Sequence, residues 1–148
     1  MIQPFDSLML RTLLGPIVAA LQLFAVYVLL HGHYSPGGGF QAGILVAASL
    51  ILPLLVRGRS EQRRTLSLRG AVSLTAVGVL IYTLIGIIPL LTGGAMLDYA
   101  ALPLGGETAD RRSLGILLIE VGVTIGVAGA MVSIFYALAG EIGQEIEG

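Results

Sequence analysis

Four long apolar runs, separated by three polar interruptions, set the pattern of the chain. Residues 13–30 are uncharged, and Gln22 is their one strongly polar side chain. Residues 40–56 carry Pro53 near their end, and residues 71–91 are uncharged and close near Pro89. Residues 114–139 form the longest run and hold a single acid, Glu120. A bilayer core of about 30 Å takes about 20 helical residues. An open sheet would leave backbone groups unpaired in lipid, and the alternation that marks barrel strands is absent. The pattern predicts an all-α polytopic membrane protein with four transmembrane helices, at about 8–30, 38–56, 70–91 and 113–139, in a single domain over 1–148.

The interruptions differ in character. The first, His31 to Phe40, holds both histidines of the chain and the run Pro36-Gly37-Gly38-Gly39. Proline disfavours helix at the residue before it, and glycine permits positive φ and close backbone approach. This stretch is either a tight turn or a break that lines a cavity. The second, residues 57–69, carries Arg57, Arg59, Arg63, Arg64 and Arg69 against Glu61. Basic residues collect on the cytoplasmic side, which puts this link and both termini there; Arg11 agrees, and Arg111 and Arg112 dissent. The third, residues 92–112, contains Gly93-Gly94, Pro103 and Gly105-Gly106, turn signals that predict a link folded over the helix ends. The N-terminus lacks a basic stretch ahead of the first apolar run, so that run is expected to be retained as a span.

Helical periodicity adds a face to each span. In the fourth, Gly115, Gly122 and Gly129 share one stripe with Gly126 beside it, and small residues let another helix approach closely. Glu120 lies nearly opposite, with Ser113, Thr124, Val127 and Met131. Neither face suits lipid, so the helix is expected between protein neighbours, and four helices hardly supply them on all sides, which implies a larger complex. The third span has a stripe of Thr75, Gly78, Tyr82 and Gly86; on the first, Gln22 shares a face with Gly15, Ala19 and Val26.

Composition narrows the class of function. Of 148 residues, 55% are hydrophobic and 11% charged, against about 25% charged in soluble domains. The net charge of −1 offers no basic footprint for nucleic acid. The absence of cysteine removes disulfides, thiolate metal sites and cysteine nucleophiles. Two histidines two positions apart make a weak metal motif, so no metal and no cofactor are expected. With no nucleophile–base pair either, the chain does not read as an enzyme.

Glu120 is the sharpest candidate for chemistry. Intramembrane acids are costly and mark ion or proton paths by default; the alternative is an acid that links two helices by hydrogen bonds. At 1.5 Å per residue it lies about 10 Å below the start of its helix. Tyr82 and Thr83 fall at similar depth, and His33, Gln41 and Thr124 complete the candidate ion or proton path. His33 serves equally as a cap on carbonyls at a helix end.

The string Gly32-His33-Tyr34-Ser35-Pro36-Gly37-Gly38-Gly39-Phe40-Gln41-Ala42-Gly43 resembles the Gly-His-x-x-Pro-Gly-Gly-Gly-Phe-x-x-Gly signature of the B subunits of Mrp (Mnh) multisubunit sodium/proton antiporters. The stretch Gly115 to Val123 resembles their fourth helix. The motif maps onto His33, Pro36, Gly37, Gly38, Gly39, Phe40 and Gly43. The resemblance implies a small accessory subunit in a prokaryotic cell membrane, with other membrane subunits, the lipid bilayer, sodium ions and protons as partners. It also implies an alternative, a related module of an energy-converting oxidoreductase such as a membrane-bound hydrogenase. Tyr34 departs from the asparagine of many antiporter B subunits, and the Tyr34-Ser35 pair with Gln41 after Phe40 is closer to that second branch.

Overall fold

The computed structural model describes residues 8–32, 38–57 and 66–147. The described residues form four helices: α1 (Leu8–Leu30), α2 (Gly39–Arg57), α3 (Leu68–Leu91) and α4 (Thr108–Glu147), with a short 3-10 turn at Tyr99–Ala101. All four are long and apolar enough to cross a membrane.

Local chemistry sets where the helices begin and end. Ser67 caps α3, its hydroxyl accepting from the Gly70 N–H at 3.2 Å, so the helix starts at Leu68, ahead of the apolar run. Such a cap satisfies one of the four donors a helix start leaves unpaired. α4 likewise starts at Thr108, well before residue 113. Asp110 in its first turn accepts from the Glu107 N–H at 3.2 Å, and the Arg111 N–H donates to the Glu107 carbonyl at 3.1 Å. At its other end α4 runs on to Glu147, past the apolar run.

α4 is the hub of the bundle. It packs against α3 and α2, α1 packs mainly on α2, and the 3-10 turn closes against α4. The α3 contact runs through backbone. A Cβ on Gly78 would stand 2.5 Å from Gly126 Cα and 2.6 Å from the Gly122 carbonyl. One on Gly129 would stand 2.5 Å from the Ala71 carbonyl. The opposite face of α4 meets α2, where a Cβ on Gly43 would stand 2.7 Å from Val127 Cβ and 2.9 Å from the Thr124 carbonyl. Both faces of α4 that are unsuited to lipid are thus covered by this chain's own helices. They do not by themselves require a neighbouring subunit, because α4 enters between α2 and α3.

Each end of the bundle is tied separately. At one end Ala47, Ala71 and Val132 form a buried cluster, and the Tyr136 hydroxyl donates to the Leu66 carbonyl at 2.9 Å. At the other, the link from α3 to α4 folds back. The Leu97 N–H donates to the Gly86 carbonyl, and the Thr92 hydroxyl lies 2.9 Å from the Pro89 carbonyl and 2.8 Å from that of Ala101. Tyr99 and Leu102 fill the space beside Gly115. Within the spans, Thr75 and Ser133 return their hydroxyls to carbonyls four residues back, so neither leaves its donor unpaired.

Two glycines of the α3–α4 contact should differ on substitution. Gly78→Ala forces the helices apart and should cost about 1–3 kcal/mol, as overpacking does. Gly126→Ala, whose Cβ would stand no closer than 3.7 Å to its neighbours, should change stability little. Thermal unfolding of the two variants in detergent checks the contrast.

Candidate functional site

The end of the bundle where α1 gives way to α2 gathers the chemistry. α1 ends in a turn in which the His31 and Gly32 N–H groups donate to the Tyr27 and Leu29 carbonyls. The His31 ring stacks on Tyr27 at 4.2 Å, with Nδ1 3.0 Å from the Tyr27 carbonyl. After residues 33–37 the chain re-enters at Gly38, whose φ of +151° suits glycine. The Gly38 carbonyl accepts from the Ala42 N–H at 3.0 Å, closing the first turn of α2.

Gly32 and Gly38 form a cradle for the Glu120 carboxylate. A Cβ on Gly32 would stand 2.5 Å from Oε2 and 2.7 Å from Oε1; one on Gly38 would stand 2.8 Å from Oε1. Any larger residue at either place pushes the acid aside. The Oε2 atom is buried. Gly39 lies against the backbone of Glu120, where a Cβ would collide with its Cα and carbonyl. The acid therefore sits beside the N-terminus of α2, where unpaired N–H groups leave partial positive charge that complements a carboxylate.

Thr124 holds this arrangement together. It is buried, and its hydroxyl lies 3.0 Å from the Gly39 carbonyl and 2.8 Å from the Glu120 carbonyl, sharing its proton between them. One side chain thus joins the first residue of α2 to the turn of α4 that carries the acid. Gly43, one turn further along α2, extends the same close contact.

The other candidates lie elsewhere. Tyr82 lines a groove of about 310 Å³ between α3 and α4, with Thr75, Gly78, Gly122, Val123 and Gly126, and Glu120 is outside that lining. Gly122 is about 200° around α4 from Glu120 at 3.6 residues per turn. Tyr82 is also close to Tyr99 in the link; the Tyr99 phenol is held above the usual tyrosine value by burial first and by Tyr82 second. Thr83 is half-buried on α3 next to Tyr82. Gln41 and Phe40 are exposed on the side of α2 away from the buried Gly39, Ala42 and Gly43. His33, Pro36 and Gly37 lie outside the described residues. Gly32 was not singled out from the sequence as a site residue, although its place at the head of the glycine-rich stretch was the available signal.

Over residues 9–133 the chain matches a family model described as a domain related to the MnhB subunit of Na+/H+ antiporters. It is 33% identical over 139 residues to a protein of Staphylococcus haemolyticus (strain JCSC1435) named as a candidate antiporter subunit, mnhB2. The match covers 91% of this chain and 96% of that protein. A protein of the same name from Staphylococcus aureus (strain Newman) is 30% identical over equal shares of both chains.

Thr124→Val keeps the shape of the side chain and deletes the hydroxyl. It should lower stability by about 1 kcal/mol, the usual net worth of one hydrogen bond, while Thr124→Ser keeps most of it. Thermal unfolding of the purified protein measures both.

Proposed function

Because the chain belongs to the MnhB family of Na+/H+ antiporter subunits, we propose that it helps to build the ion path of such an antiporter, with Glu120 as the acid that serves it. The chain is a multi-pass subunit of a multisubunit Na+/H+ antiporter in a prokaryotic cell membrane, and other membrane subunits are its partners. Its relatives are antiporter subunits rather than classical enzymes; this chain acts without catalytic chemistry of its own. Their names favour the antiporter over the redox-driven complex.

The observation that carries the Glu120 reading is the cradle. A carboxylate within a span is held against the backbone of Gly32 and Gly38, at the point where one span gives way to the next. A group that exchanges protons, or holds a cation briefly, needs to lie near a break in the spans, where access from one side of the membrane is shortest. The arginines of residues 57–69, by the positive-inside rule, support reading that side as the outer one. Thr124 belongs to this site as the residue that keeps α2 against Glu120, while Tyr82 and Thr83 belong to the α3 side of α4.

Glu120→Gln should reduce sodium-driven proton exchange in membrane vesicles at least about tenfold while the complex still assembles, as expected for an intramembrane acid on an ion path. Gly32→Ala, whose Cβ meets both the carboxylate and the Gly38 Cα, should lower exchange in the same assay. Wild-type exchange by an assembled Glu120→Gln complex removes the acid from the path. The chain reconstituted alone should show no exchange; activity from it would overturn the accessory role.

A further inference from the structure

Gln22 stands near the middle of the first apolar span, Thr12–Leu30. At 1.5 Å per residue its depth is close to the bilayer centre. The side chain is exposed, and among the described residues its amide has no hydrogen-bond partner. α1 turns Leu14 and Ala25 inward, and both are buried. Gln22 sits off that buried side, together with Gly15, Ala19 and Val26, all of them exposed. A Cβ on Gly15 would meet nothing within 4 Å, so no close approach inside this chain accounts for the glycine.

Lipid does not explain the face. Acyl chains at mid-depth offer neither donor nor acceptor, and an amide left there unpaired is costly. A helix does explain it. Gly15 and Ala19, four residues apart, admit a close backbone approach, and an amide above them can hydrogen-bond across the contact. The chain's place in a multisubunit antiporter, on which this inference rests, provides helices of other subunits at that depth.

We propose that the Gly15–Ala19–Gln22–Val26 face of α1 seats a transmembrane helix of a different subunit, which carries a hydrogen-bonding side chain at mid-membrane that pairs with the Gln22 amide. The partner residue both donates and accepts, as an amide, a hydroxyl or a protonated carboxyl does. α1 is then the docking edge of the subunit.

The test uses the whole antiporter in native membranes. Gln22→Leu, which keeps the bulk and deletes the amide, should lower recovery of the chain with its partner subunits about three- to fifteen-fold, the range measured for hydrogen bonds between membrane helices. Gln22→Asn should retain most of it. The chain contains no cysteine, so Gln22→Cys introduces a unique thiol for a short photo-crosslinker. An adduct with a different membrane subunit supports the proposal. An adduct with a second copy of the chain, adducts with lipid alone, or unchanged recovery of Gln22→Leu overturns it. A wild-type chain that purifies from these membranes without any other subunit defeats the multisubunit reading and the proposal with it.

Discussion

Close approach of backbones holds this molecule together. Between helices in lipid there is no hydrophobic drive to association, because the acyl chains are as apolar as the side chains. Packing density and hydrogen bonds must do the work instead. Here the approach is made on two sides of one helix: Gly78 of α3 lies on Gly122 and Gly126 of α4, and Gly39 and Gly43 of α2 lie on Glu120, Thr124 and Val127. Where the helices come this near, only hydroxyls that fold back on carbonyls, as those of Thr124, Thr75 and Ser133 do, can be accommodated without leaving a donor unpaired.

The glycine-rich turn takes its meaning from that constraint. Three consecutive glycines exceed what a turn needs. Gly38 uses the conformational freedom, with φ at +151°. Gly39 uses the absence of a side chain, because the backbone of α4 occupies the place of its Cβ. Gly32, on the far side of the turn, does the same for the carboxylate. One stretch therefore serves the fold and the site at once: the contact that brings α2 onto α4 also sets the start of a helix beside an acid.

Much of this was legible in the sequence. The four spans followed from uninterrupted apolar runs, and the two unlike faces of α4 followed from the spacing of Gly115, Gly122 and Gly129 against Glu120 and Thr124. Depth arithmetic brought Glu120 to the level of the first turn. Helix ends were less legible, since Ser67 and Asp110 extend α3 and α4 into polar sequence that hydropathy excludes. Tyr82 lines a groove that does not include Glu120, for a different reason. Depth along an axis says nothing about rotation around it, and Tyr82 shares the α3–α4 groove with Gly122 and Gly126 and interacts with Tyr99 of the link. That α4 finds neighbours within this chain on two sides was not legible either, because linear order hides its insertion between α2 and α3.

That insertion has a consequence for biosynthesis. The ribosome delivers α4 after the other three spans, yet α4 is the surface on which both α2 and α3 pack. The second span can pack on α1 at once, but the third, whose main helix contact is α4, enters the bilayer with its glycine face open to acyl chains until the fourth arrives. Assembly of the bundle is therefore a late event, separated in time from insertion. A chain arrested before α4 would be threaded but incompletely assembled, and quality control in the membrane would meet it as such.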